Sequence, residues 1–79
     1  MTNDLYKVLQ DNYDRLRKSE KKVADFVMQT RSSVVQMRIV DLAAAAEVSE
    51  PTVLRFCRAL GFDGFQDFRD ILAKDPSRL

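Results

Sequence analysis

Apolar residues recur along this chain at helical spacing, with polar residues on the opposite faces. Leu5, Val8, Leu9, Tyr13 and Leu16 fall at i, i+3, i+4, i+8 and i+11, and Lys7, Gln10, Asp11, Asp14 and Arg15 lie opposite. That stripe predicts a helix over residues 5 to about 16, capped by Asp4 after a loosely held start at residues 1–4. Arg17 and Lys18 form a connector, and Ser19 is the predicted N-cap of a second helix with Glu20 in its first turn. Val23, Phe26 and Val27 are its inward stripe, flanked by Ala24 and Met28, and it is expected to reach about residue 29. Residues 30–33 interrupt the pattern, and Ser32 can cap a short turn through Val34, Val35 and Met37.

The next stretch organises the rest. A short helix is predicted over residues 39 to about 46, a tight turn at Glu47, Val48 and Ser49, and a second helix from Glu50 to Leu60. Leu42, Ala43, Ala46, Val48, Val53, Phe56 and Leu60 supply small or apolar contacts between them. Four consecutive alanines, Ala43 to Ala46, favour the first helix locally and let the second approach closely. Gly61 sits where a helix end needs a left-handed residue. Phe62, Asp63 and Gly64 then connect to a last helix presenting Phe65, Phe68 and Leu72 with Ile71 beside them, ended by Asp75 and Pro76. The fold class expected is all-α: a small bundle of about five helices plus a short turn, containing a helix-turn-helix.

The second helix of that pair has an outer face of Glu50, Pro51, Leu54, Arg55 and Arg58. Ser49 can accept from the Thr52 N–H as an N-cap, and Pro51 fits the first turn, where its missing N–H is not needed. A helix start of this kind can also meet phosphate. Arg55 and Arg58 lie one turn apart; a guanidinium binds guanine O6 and N7, or a phosphate, by two parallel hydrogen bonds. Leu54 stands outside the apolar stripe and can meet a thymine methyl, while Thr52 can serve a base edge or a phosphate. Glu50 can accept from cytosine but repels phosphate, so its contribution is selectivity rather than affinity. On an isolated helix the two arginines would read as solvated surface residues; after a helix-turn-helix pattern the reading reverses in favour of DNA contact.

Composition changes this picture little. Seventy-nine residues, 46% hydrophobic and 32% charged, suit one small globular domain. The net charge is only +1, so any nucleic-acid surface must come from the distribution of charge rather than its total. Arg15, Arg17, Lys18, Lys21 and Lys22 form a second basic cluster, diluted by Asp14 and Glu20 and read first as a solvated face. The single cysteine, Cys57, neighbours Phe56 and is expected to pack inside rather than act as a sensor. The chain has no histidine, which removes the commonest general base and metal ligand. The five phenylalanines are read as core rather than as a stacking platform for single strands. Neither a signal peptide nor an apolar run of membrane-spanning length is present in this sequence, and a cytoplasmic setting is expected.

Several runs together resemble one family. They are Ser19-Glu20-Lys21-Lys22-Val23-Ala24, Ile39-Val40-Asp41-Leu42-Ala43, the run Val48-Ser49-Glu50-Pro51-Thr52-Val53-Leu54-Arg55-Phe56-Cys57-Arg58, then Leu60-Gly61-Phe62 and Gly64-Phe65. The chain is similar, from about residue 5 to residue 73, to the N-terminal domains of RpiR-type bacterial transcriptional regulators, and most of all to their HexR-like branch, which controls sugar catabolism. The resemblance implies a DNA-binding domain whose contacts include Ser49, Glu50, Pro51, Thr52, Arg55 and Arg58. It also implies dimers on palindromic operators, and a following sugar-isomerase-like (SIS) domain that binds phosphosugars. Nothing in this sequence corresponds to that second domain, so residues 1–75 are expected to be the helix-turn-helix domain and 76–79 the start of a linker. Three positions depart from the family pattern: Glu47 where glycine is common in the turn, Arg38 in place of a capping Ser or Thr, and Thr30-Arg31 in place of Asn-Pro.

The function expected is therefore sequence-specific binding of duplex DNA in transcriptional regulation of sugar or carbon metabolism, with residues 50–60 in the major groove. The chain is expected to be a homodimer with no catalysis, cofactor or metal of its own; a phosphosugar effector would act only through the second domain. The alternative is a helical protein–protein interaction module using the same face.

Overall fold

The structure, a computed structural model, describes residues 5–74, the side chain of Arg31 excepted. Five helices follow in order: α1 (Leu5–Tyr13), α2 (Lys18–Val34), α3 (Ile39–Ala46), α4 (Glu50–Ala59) and α5 (Phe65–Lys74). Among the described residues there is no strand, and no helix is long and apolar enough to cross a membrane. The expectations for Asp4 as a cap, for residues 1–4, and for the ending at 75–79 lie outside the described residues.

α2 is the axis of the packing. It meets α1, α3 and α4, while α3 packs on α4 and α4 on α5. The core takes Leu5, Leu9 and Leu16 from the first stripe, Val23, Ala24, Val27 and Val34 from α2, and Leu42, Ala43 and Ala46 from α3. Val53, Phe56 and Cys57 of α4 and Phe68 and Leu72 of α5 complete it. Phe68 stands edge-on to Phe56 at 5.4 Å and to Phe62 at 5.7 Å between ring centres. With Phe26 and Phe65 packed on the same cluster, all five phenylalanines serve the interior, as expected.

Three boundaries differ from the sequence reading. α1 ends at Tyr13, because Asn12 turns its side chain back onto the Val8 carbonyl and the chain tightens into i→i−3 bonds, Arg15 to Asn12 and Leu16 to Tyr13. Leu16 is still buried, carried inward by that turn rather than by helix. α2 begins at Lys18, so Ser19 lies inside it and is not the cap. The Glu20 carboxylate instead reaches back to the Arg17 N–H at 3.1 Å, the acidic half of a capping box. At Thr30 the backbone leaves helical geometry (φ −137°, ψ 43°), and the hydroxyl donates to the Phe26 carbonyl at 2.7 Å. The predicted interruption is thus a kink, and the helix resumes to Val34.

α3 matches its predicted bounds. Arg38 has no capping oxygen, but Asp41 accepts from the Arg38 N–H at 3.0 Å and from its guanidinium at 3.2 Å. Those two hydrogen bonds hold the Asp41 carboxyl below the usual carboxylate range. From α5, the Arg69 guanidinium donates to the Met37 carbonyl at 3.0 Å and fixes the connector leading into α3.

Candidate nucleic-acid interface

The turn between α3 and α4 is built by a helix ending. The Val48 N–H bonds back to the Ala43 carbonyl at 2.9 Å and the Glu47 N–H to Ala44 at 3.2 Å, the paired bonds of a Schellman motif. The motif requires a left-handed residue after the helix, and here that residue is Glu47, at φ 61° and ψ 46°. The end of α4 repeats the motif, Phe62 to Cys57 and Gly61 to Arg58, with Gly61 at φ 97° as the sequence predicts. Both turns are therefore of one kind, one made by the residue suited to it and the other by a glutamate.

The start of α4 is also as predicted. Ser49 Oγ accepts from the Thr52 N–H at 3.2 Å, and Pro51 occupies the first turn. Val53, Phe56 and Cys57 face inward at 0% exposure, and Ala43 and Ala46 of α3 are buried. Burial pushes the Cys57 thiol up to about 12, which agrees with packing rather than sensing.

The candidate contact residues divide into two groups. Ser49, Glu50, Pro51, Arg55 and Arg58 are exposed on one side of α4. Thr52 is not: it is 5% exposed, its hydroxyl sharing a hydrogen bond with Ser49 Oγ at 2.9 Å and accepting from Arg55 Nη2 at 3.2 Å. Leu54 is half-buried beside Gly64 rather than standing wholly clear of the protein. Arg58 Nε donates to the Asp63 carbonyl at 3.3 Å, which directs that side chain along the connector to α5.

Arg55 holds a second partner that the sequence reading missed. Its Nε lies 3.6 Å from a carboxylate oxygen of Glu20, whose side chain is almost wholly buried. The signal was present in the spacing: Glu20, Val23, Ala24 and Val27 share one stripe, so a carboxylate was placed on the inward face of α2 and had to find a cation or a donor. The pairing also brings the exposed Arg17 and Lys18 to the same corner of the molecule as Arg55.

Comparison with known proteins agrees with this architecture. The model of the helix-turn-helix domain of the rpiR family matches residues 3–78. The HTH-type transcriptional regulator HexR of Pseudomonas aeruginosa is 41% identical over 71 residues, covering 90% of this chain and 25% of that protein. The bifunctional protein glk of Paraburkholderia xenovorans is 47% identical over 60 residues, 76% of this chain but 9% of the larger protein. The chain thus spans a quarter or less of these relatives. Among solved structures, the N-terminal domain of the transcriptional regulator ybbH of Bacillus subtilis superposes with a TM-score of 0.84 at 30% identity, over 89% of this chain and 85% of that one. The Vibrio vulnificus NanR protein, solved in complex with ManNAc-6P, gives 0.87 at 38% identity over 90% of this chain and 27% of its own. With the family model covering almost the whole sequence and the helix pair built as described, the chain belongs to the rpiR family of helix-turn-helix domains.

Proposed function

We propose that this domain regulates transcription by binding duplex DNA sequence-specifically, with α4 in the major groove. One observation carries the reading: α3 and α4 pack across a three-residue turn, and the open side of α4 offers two exposed arginines one turn apart. Arg55 and Arg58 address base edges or phosphates. Ser49, Glu50 and Pro51 approach the strand at the helix start, and Leu54 meets a thymine methyl. Thr52 acts from behind, by holding Arg55.

The domain works by binding, in the cytoplasm, as a homodimer. The molecule is 32 Å along its longest axis, which allows two copies to occupy half-sites about one helical turn, ~34 Å, apart. Residues 1–75 are the DNA-binding domain and 76–79 open the linker to a phosphosugar-binding domain of the sugar-isomerase type. The share of HexR that the chain covers supports that layout. The NanR neighbour carries a sugar phosphate, which supports the effector class and a role in sugar or carbon metabolism.

Selection of duplexes from a random pool tests the reading, followed by anisotropy titration of the winner across a salt series. An enriched half-site is expected, with affinity falling steeply as salt rises, by a logarithmic slope of about −0.9 per phosphate contacted. Arg55→Ala should bring operator affinity down to the level of random duplex. A flat salt series with no enriched sequence would refute the proposal.

A further inference from the structure

DNA contact by α4 leaves one buried charge without a role. Glu20 belongs to α2, is 4% exposed, and sits on the apolar stripe with Val23, Ala24 and Val27. Its Oε1 accepts from the Arg17 N–H at 3.1 Å, and its Oε2 stands 3.6 Å from Arg55 Nε. Arg55 Nη2 donates to Thr52 Oγ1 at 3.2 Å, and Thr52 is joined in turn to Ser49 Oγ at 2.9 Å. The guanidinium is therefore held along its Nε and Nη2 sides by groups from two different helices. Its outer fork, made of the Nη1 hydrogens and the second Nη2 hydrogen, remains to donate outward.

We propose that Glu20 is a positioning residue for sequence recognition: it aims the outer fork of Arg55 at a single guanine. The inference rests on the DNA-binding reading of α4. A long unanchored arginine samples many rotamers and pairs readily with whatever phosphate is nearest. Anchored at Nε by a carboxylate, it surrenders that freedom before DNA arrives, and its planar fork is fixed in direction. Glu20 is too deeply buried to accept from a base itself, so its charge stays committed to Arg55 in the complex. The pair thus converts a general phosphate binder into a reader of guanine O6 and N7.

Two variants of Glu20 separate this role from a structural one. Glu20→Gln keeps the shape and an oxygen for the Arg17 N–H but removes the charge. Glu20→Asp keeps the charge and the cap, as Asp41 does for Arg38 at 3.0 Å, but falls one methylene short of Arg55. Both are titrated at low salt against the duplex selected by the wild type and against random duplex, alone and combined with Arg55→Ala, after thermal melts establish that each is folded. Each single variant is expected to weaken the selected duplex about tenfold, the range of one bidentate base contact, and to leave random duplex within about twofold. Combined with Arg55→Ala, neither should cause any further loss. An equal loss with and without Arg55 would assign Glu20 a purely structural part and overturn the proposal. So would unchanged or tighter binding of the selected duplex by Glu20→Gln. In both cases the wild type's selective, salt-dependent binding would stand, and the DNA reading with it. A wild type that selects no duplex overturns both together.

Discussion

Glu47→Gly is expected to make this domain more stable. Glu47 is a non-glycine residue with positive φ, at 61°, and the Schellman bonds from Glu47 and Val48 to the end of α3 depend on that geometry. Left-handed backbone costs an L-residue about 1–2 kcal/mol through the approach of Cβ to the carbonyl oxygen. Glycine escapes this cost but gives the unfolded chain more freedom, an offset of about 0.5–1 kcal/mol. The Glu47 side chain is exposed, so no core contact is lost on its removal. The net gain is about 0.5–1 kcal/mol, which for a domain of this size raises Tm by roughly 2–8 °C. Thermal unfolding followed by far-UV circular dichroism measures it, with Glu47→Ala as the control that keeps Cβ and should gain nothing. If Glu47→Gly melts at or below the wild type, the turn is not strained as described. Equal gains in both variants would assign the cost to the glutamate charge near the negative end of α3 rather than to φ.

Other substitutions probe the same region. Ser49→Ala removes the cap on the Thr52 N–H and should lower stability by about 1 kcal/mol in a denaturant titration, with unchanged m-value. Cys57 should resist alkylation in the native protein and react at the rate of global unfolding, since its thiol is fully buried and raised to about 12. The same shift fixes a sign. Above the ordinary thiol value of 9.0 the unfolded chain loses a proton that the folded chain keeps, so the Cys57 contribution to stability falls from about pH 9 toward 12, and Cys57→Ala should flatten that decline. Arg55→Ala should cost about 1–2 kcal/mol of stability, between the values for exposed and buried pairs, because it leaves the Glu20 carboxylate without its cation; an unchanged melt would show that water replaces the guanidinium there at no cost.

What could be read in the sequence was whatever a short segment decides for itself. The alanine run, the Ser49 cap, Pro51 and the Gly61 ending each depend on residues within one turn, and α3 and α4 fall within a residue of their expected bounds. Boundaries failed where two local solutions competed. Ser19 is a good cap by type, but Glu20 reaches the Arg17 N–H from three residues on and moves the helix start before it. Asn12 ends α1 early through a bond to Val8 that the apolar stripe does not encode. Likewise Arg38 lacks a capping oxygen, yet Asp41 supplies the hydrogen bond in reverse. Within the candidate interface, the exposed arginines follow from helical phase. The burial of Thr52 and the half-burial of Leu54 beside Gly64 were not legible there, because both come from packing made only once the chain has folded.

A chain so nearly neutral offers a nucleic-acid surface through the placement of its charges rather than their sum. The net charge of +1 averages over faces that DNA would never meet. Lys7 is paired with Asp11, and Arg38 with Asp41, on helix flanks where opposite charges cancel locally. Where α2 meets α4 the balance differs, because one acid, Glu20, is inside, while Glu50 stays exposed in the first turn of α4. Glu20 is buried beside Arg55, while Arg17, Lys18 and Arg55 stay exposed, and Arg58 is exposed farther along, in the last turn of α4. The buried carboxylate is paired with the Arg55 guanidinium and holds it in place, so the charge there acquires direction. Charge counts miss this, since they score Glu20 as cancelling the arginine that it orients.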